Sequence, residues 1–331
     1  LSTVFIGTSA FAAAVLERLA RSATHRPALV ITRPDRPSGR GRRLAAPPVA
    51  TTARALGIAL EQPQNVNEPQ ARALIAGALA TSPIDASDDG EQPSVSRRTI
   101  VVCAFGALIK EPLLSEHELL NVHPSLLPRW RGAAPVERAI MAGDAQSGVS
   151  IMRLTAGLDS GPVCLAGVEP IRADDTYGSL AARLEQLGGE LLVRAMDERP
   201  PFVEQSQEGV TYAEKLGPAD RLLDPALPAV ELERVVRALY PHIGARTVLA
   251  DETLLGVQRA ALLDEQDPAY VRTLPDGDSP EQQGRGPSVR DGRLLLDCTP
   301  GVLELLVVQP PGGRAMEAAA YLRGHGLPGR R

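Results

Sequence analysis

Asn121-Val122-His123-Pro124-Ser125-Leu126-Leu127-Pro128-Arg129-Trp130-Arg131-Gly132, with the apolar run Thr99-Ile100-Val101-Val102-Cys103-Ala104-Phe105 before it, decides how this chain is read. The apolar run has the character of a buried strand. In the second stretch Asn121 and His123 stand two residues apart, so on an extended backbone their side chains leave from the same face. The prolines at 124 and 128 end regular structure, and Arg131-Gly132 reads as a turn. An amide and an imidazole are thus presented together at a strand end, where open α/β sheets place their ligand sites. The pair suits a reaction in which an oxyanion develops on a carbonyl and a proton has to move. The plainer alternative is a solvated loop with His123 as an ordinary polar residue.

Working outward, residues 4–7 form a first strand, 11–20 carry helical periodicity with Ser9 as N-cap, 28–32 a second strand, 49–56 a helix and 101–105 a third strand. Strands alternating with helices predict an α/β domain, a doubly wound, Rossmann-like parallel sheet. Residues 135–142 read as a helix, 150–154 and 164–171 as strands, and 176–196 as a long helix with an apolar stripe. Gly7 reads as a tight strand-to-helix turn. Residues 80–98 are rich in Ser, Asp and Pro and read as an insertion of disordered type; 265–290 read as a second long loop. Pro200-Pro201 begins a linker. After it come one helix at 229–239 and short strands at 246–250, 253–259, 293–298 and 302–309, with a turn at Asp291-Gly292, a pattern that predicts a small antiparallel barrel. The expected division is 1–203, a linker at 204–210, and 211–331.

A chain of 331 residues is long enough for two cores, and its net charge of −5 argues against a wholesale electrostatic grip on nucleic acid but not a local one. Cys103, Cys164 and Cys298 are widely spaced and fit neither a disulfide framework nor a zinc spacing, so a reducing compartment is expected. No apolar run approaches the ~20 residues that cross a bilayer. The opening residues lack the basic start of a signal peptide, and a chain that starts at Leu1 is expected to have lost an initiator Met; a cytoplasmic protein follows. The five histidines are scattered and HExxH, GxGxxG and Walker A patterns are missing, so neither a metal nor a nicotinamide or ATP cofactor is expected. No Cys or Ser sits in a nucleophile elbow, which favours direct attack without a covalent enzyme intermediate.

Position by position, Asn121-x-His123-x-Ser125-Leu126-Leu127-Pro128-x-x-Arg131-Gly132, followed by Asp159-x-Gly161, resembles the signature of the folate-dependent formyltransferases. By that resemblance Asn121 holds the oxyanion, His123 stabilises it and relays the proton, and Asp159 tunes His123; the residues alone do not choose Asp159 over Asp144 or Asp174. The resemblance also implies that Ser125, Leu126, Leu127 and Pro128 line the folate site and that the backbone at Phe105 and Gly106 receives the pterin. The stretch 33–43 holds five arginines and a single acid, a phosphate-seeking patch on an acidic protein, although such a loop can equally be a solvated surface. Its Arg-Pro-Asp-Arg-Pro-Ser-Gly-Arg-Gly run is similar to the loop by which methionyl-tRNA formyltransferases enter the acceptor stem of initiator tRNA, which makes Arg36, Arg40, Arg42 and Arg43 tRNA-binding residues, Arg40 first among them. Tyr212-Ala213-Glu214-Lys215-Leu216 and Gln309-Pro310 with Arg314-Ala315-Met316 resemble the carboxy-terminal OB-type, tRNA-binding domain of that family.

The resemblance runs from Val4 to about Met316 and implies 10-formyltetrahydrofolate as co-substrate and initiator methionyl-tRNA as acceptor; a monomer is expected. Three departures stand out: the insertion at 80–98, Tyr240-Pro241-His242-Ile243 in place of a more aromatic segment, and an excess of acidic over basic residues after 206. The rival readings are a formyltransferase for a small amine, a ribonucleotide or an amino sugar, and a catalytically idle tRNA-binding protein. The arginine loop and the carboxy-terminal barrel weigh against the first, and Asn121, His123 and Asp159 together against the second.

Overall fold

The computed structural model describes residues 2–38, 43–80, 98–270 and 287–325. Most of the expected insertion at 80–98 and part of the expected loop at 265–290 lie outside these, as do Arg40 and Arg42. The chain divides into two compact units, Leu1–Pro135 with Gln146–Pro170 and Ala181–Ala213, and Val136–Ala145 with Ile171–Leu180 and Glu214–Arg331.

In chain order the elements up to residue 213 are β1 (Ser2–Gly7), α1 (Ala10–Ala20), β2 (Leu29–Ile31), β3 (Arg36–Ser38), β4 (Arg43–Ala45), α2 (Pro48–Ala55), β5 (Ala59–Glu61), α3 (Pro69–Ala80), β6 (Arg98–Cys103), α4 (Leu113–Glu116), β7 (Glu118–His123), β8 (Arg131–Gly132), α5 (Pro135–Ala142), β9 (Gln146–Arg153), β10 (Val163–Pro170), α6 (Tyr177–Glu198) and β11 (Tyr212–Ala213). The first unit is built on a seven-stranded sheet of order β10-β9-β7-β6-β1-β2-β5. The five strands from β7 to β5 are parallel. β9 and β10 add an antiparallel edge, so the sheet is mixed rather than all parallel. The loop between β9 and β10 is too short for the crossover that a parallel pair needs, so these two strands pair antiparallel.

Strand alternation sorts the two faces. Val4, Ile6, Leu29, Ile31, Ile100, Val102 and Leu119 share one core with Ile75 and Leu79 of α3. Each such side chain contributes about 1.5–3 kcal/mol on burial. Val122 points the other way, toward Gly188 of α6, where an added Cβ would lie 3.1 Å from the valine. Asn121 and His123 therefore share the face of Leu119. At the amino end of α1 the Ser9 hydroxyl accepts the Ala12 N–H at 3.2 Å, the expected cap. The sheet order reverses between β1 and β6, and the Thr8 hydroxyl closes that point by donating to the Phe105 carbonyl at 2.9 Å.

Several expectations need correction. Arg131-Gly132 is not a turn but a two-residue strand, paired in parallel with Tyr212–Ala213. Gly132 has φ +124°, and an added Cβ would lie 2.6 Å from the Ala213 carbonyl, so only glycine lets the backbones approach. The segment expected to open the second domain thus begins beside Arg131. The arginine stretch is not plain loop: Arg36–Ser38 and Arg43–Ala45 form an antiparallel pair. Residues 287–290, read as loop, form a strand.

Beyond residue 213 lie α7 (Ala229–Leu239), β12 (Ala245–Val248), β13 (Leu254–Leu262), β14 (Pro287–Arg290), β15 (Arg293–Asp297), β16 (Val302–Gln309), β17 (Met316–Glu317) and α8 (Ala318–His325). The strands make an antiparallel sheet of order β12-β13-β16-β15-β14, with β17 also on β16. Asp291 and Gly292, both at positive φ, form the tight β14–β15 turn. Register slips on either side of Arg259 bend β13 and curl the sheet around Leu232, Val236, Leu255, Val257, Leu303 and Leu305. Among the described residues no helix is long and apolar enough to cross a membrane.

Candidate active site

β7 is apolar at Leu119, Leu120 and Val122, and hydrogen-bonded on both sides, so the polar residues at its end are fixed by the sheet. Asn121 stands in register with Val102 of β6 and Met152 of β9, and His123 with Ser150 of β9. Asn121 is 8% and His123 4% exposed. The Asn121 side-chain amide makes no hydrogen bond among the described residues, so its N–H groups are uncommitted.

The imidazole of His123 lies between two acceptors. Nε2 is 2.9 Å from the Trp130 carbonyl, and Nδ1 is 3.7 Å from Asp159 Oδ2. A carbonyl only accepts, so Nε2 carries a proton and donates it to Trp130. Nδ1 is then the nitrogen that faces Asp159. Its distance from the carboxylate is too long for a direct hydrogen bond but short enough for ionic attraction to an imidazolium. Asp159 is held in turn by the Gly132 N–H, which donates to Oδ2 at 2.8 Å. Of the three aspartates that the residues alone left open, Asp159 is the one beside His123.

The connecting loop is tied down by hydroxyls. Ser125 is fully buried and donates to the Arg129 carbonyl at 2.6 Å. Ser150, also fully buried, donates to the Ser125 carbonyl at 2.7 Å and accepts the Leu127 N–H at 3.1 Å. Leu126, Leu127 and Pro128 are half-buried. The ring of Phe105 belongs to the core, and exposed Gly106 offers a carbonyl that accepts from Arg33 Nη1 at 2.9 Å. Arg33 opens the arginine stretch, whose base is fastened by Gln62: its amide donates to the Arg33 carbonyl at 2.9 Å and to Asp35 Oδ1 at 2.8 Å. Arg36 is exposed, and Arg43 pairs with Ser38 through its backbone.

Three non-glycine residues around the strand ends have positive φ: Ala104 (40°), Trp130 (62°) and Asp159 (42°). Such conformations persist where surrounding contacts over-determine them, and they gather at functional sites. The Trp130 conformation is the one that turns its carbonyl onto His123. Cys103, at the end of β6, is no nucleophile: burial, and then Glu185, push its thiol far above the usual range. Among the described residues no group of three or more His, Cys, Asp or Glu side chains could hold a metal ion.

Sequence reasoning missed the Trp130 carbonyl, Ser150 and Gln205. The first is backbone and carries no residue signature. Ser150 could have been suspected as a polar residue within an apolar strand. Gln205 lay in a stretch read as linker, yet its amide donates to the Asp159 and Gly161 carbonyls at 2.9 and 2.7 Å.

An amide with no side-chain hydrogen bond among the described residues, an imidazole anchored through Nε2, and a carboxylate facing its Nδ1 are the parts required by acyl or formyl transfer. Comparison with known proteins agrees. A model described as Formyl transferase matches residues 2–196, and one described as Formyl transferase, C-terminal domain, matches residues 215–326. The chain is 38% identical to the methionyl-tRNA formyltransferase of Dinoroseobacter shibae, covering 99% of this chain and 98% of that one. It is 35% identical to that of Dechloromonas aromatica, covering 99% and 97%. The chain belongs to the methionyl-tRNA formyltransferase family. As a member of that family it is an enzyme. Solved structures share its fold: a methionyl-tRNA formyltransferase from Clostridium thermocellum (TM-score 0.56, 12% identity, 81% of this chain and 95% of that one) and HypX from Aquifex aeolicus with tetrahydrofolic acid (TM-score 0.59, 16% identity, 99% and 47%).

Proposed function

We propose that this chain transfers the formyl group of 10-formyltetrahydrofolate to the α-amino group of initiator methionyl-tRNA, giving formylmethionyl-tRNA and tetrahydrofolate. The amine nitrogen attacks the formyl carbon, the carbonyl oxygen takes up negative charge, and the bond to N10 breaks as N10 receives the proton that the amine gives up. The Asn121 amide donates to the oxyanion. His123 takes the proton at Nδ1 and passes it on, with Nε2 anchored on Trp130. Asp159 stabilises the imidazolium and holds no proton itself.

The observation that carries this reading is the arrangement of His123 between the Trp130 carbonyl and the Asp159 carboxylate, two residues beyond an amide that makes no side-chain hydrogen bond among the described residues. Leu126, Leu127 and Pro128, with the backbone at Phe105 and Gly106, offer the folate an apolar wall and polar groups for the pterin edge; Ser125 contributes by shaping the loop. We assign tRNA binding to Arg36, Arg40, Arg42 and Arg43, on the arginine-rich sequence of this stretch. We read the antiparallel unit as an OB-type barrel that adds to tRNA binding, a reading supported by the curled sheet around α7 and the match to the family's C-terminal domain; we also read the enzyme as a cytoplasmic monomer that needs no metal.

The test is substitution. Asn121→Ala is expected to slow turnover about 10²–10³-fold, the usual cost of one oxyanion donor. His123→Ala and Asp159→Ala should also lose turnover while folate affinity, read by fluorescence, is retained. Near wild-type rates in the Asn121 and His123 variants would contradict these roles.

A further inference from the structure

Gln205 has its four hydrogen-bonding positions filled. Its Nε2 donates to the carbonyls of Asp159 (2.9 Å) and Gly161 (2.7 Å), and its Oε1 accepts from Nε (3.0 Å) and Nη2 (2.7 Å) of Arg131. The amide can sit in only one orientation. Flipped, its oxygen would face two carbonyls and its NH2 a guanidinium. Arg131 follows Trp130 directly, and Asp159 and Gly161 belong to one short loop. Gln205 therefore bridges the two segments between which the His123 ring is held, one supplying the carbonyl on Nε2 and the other the carboxylate facing Nδ1. The Gly132 N–H to Asp159 Oδ2 contact closes the ring from the other side.

The bridge has strained backbone to hold. Trp130 and Asp159 both have positive φ. An added Cβ at Gly161 would run into the Arg153 carbonyl, so the loop has no slack on that side. Without the Gln205 amide, the described contacts left to Asp159 are those of its carboxylate, to the Gly132 N–H and to His123.

We propose that Gln205 is a positioning residue for formyl transfer, setting the spacing of Asp159 and the Trp130 carbonyl across His123. This rests on the roles given above to His123 and Asp159. Gln205→Met keeps side-chain length and removes all four hydrogen bonds, while Gln205→Glu keeps the acceptors for Arg131 and removes donation to the loop. Both are expected to lower kcat about 10- to 10²-fold, the scale of an ångström-sized misplacement. KM for methionyl-tRNA and the affinity for 10-formyltetrahydrofolate should change little.

The deciding measurement is a single-turnover double-mutant cycle. Added to Asp159→Ala, the Gln205→Met change should lower the residual rate by less than about twofold, because the spacing it sets across His123 matters only while the Asp159 carboxylate is there. Wild-type kcat in both Gln205 variants, or a full multiplicative loss on top of Asp159→Ala, overturns the proposal. So does loss of the native circular dichroism spectrum in both variants, which would make Gln205 a folding residue. If Asp159→Ala alone keeps wild-type kcat, the role of Asp159 fails first, and the single variant shows this independently of Gln205.

Discussion

Ser150→Ala tests whether the loop from Ser125 to Pro128 is held by buried polar contacts rather than by its own sequence. The Ser150 hydroxyl has no exposure, donates to the Ser125 carbonyl at 2.7 Å and accepts the Leu127 N–H at 3.1 Å. Alanine removes one oxygen and leaves both backbone groups without that partner. A buried polar group left unsatisfied costs about 1–3 kcal/mol, so two orphans together should destabilise the protein by about 2–6 kcal/mol. A water that entered the small space would reduce this toward the lower figure. The strand itself should persist, because Ser150 pairs with His123 and Ala166 through its backbone. Urea unfolding followed by circular dichroism gives the stability, and fluorescence titration the folate affinity. Weaker folate binding is expected to accompany the stability loss, with kcat at saturating substrate less affected. A loss below about 0.5 kcal/mol with unchanged folate affinity would refute the idea that this hydroxyl holds the loop.

Two further outcomes are expected. Arg40→Ala should lower kcat/KM for methionyl-tRNA and reduce the salt dependence of tRNA binding by about one unit of slope, with folate affinity unchanged; unaltered tRNA kinetics across a salt series would leave the loop a mere solvated surface. Asp220→Asn should cost about 1 kcal/mol at neutral pH. Burial pushes the Asp220 carboxyl up, but the Gly217 N–H and the Arg138 guanidinium outweigh it and hold the group below its ordinary 3.8. A depressed native pKa gives stability that is present above the ordinary value and lost as pH falls through the native one, so the difference between wild type and variant in urea titrations should shrink below 3.8. A pH-independent difference would contradict that assignment.

What could be read in the residues was whatever rests on periodicity or fixed spacing. Asn121 and His123 were legible because a strand places every second residue on one face. Ser9 was legible as a cap, and the helices at 135–142 and 229–239 by their 3.6-residue pattern. Asp159 could not be separated from Asp144 and Asp174 without a family pattern, since a loop carboxylate has no period; its place beside His123 is a tertiary fact. Arg131-Gly132 has turn composition, yet it pairs with Tyr212–Ala213, a partner 81 residues away that no local rule could supply. Strands of three residues, such as Ala59–Glu61, are too short to show alternation. The Trp130 carbonyl and the Gln205 amide were invisible for a common reason: each acts through backbone groups brought together only by the folded sheet.

The most direct measurement is formyl transfer from 10-formyltetrahydrofolate by the purified full chain, with initiator methionyl-tRNA, elongator methionyl-tRNA and small amines such as an amino-sugar nucleotide compared by kcat/KM. The highest value is predicted for initiator methionyl-tRNA, with little or no formylation of the small amines. A small amine formylated as well as or better than initiator methionyl-tRNA would contradict the proposed acceptor.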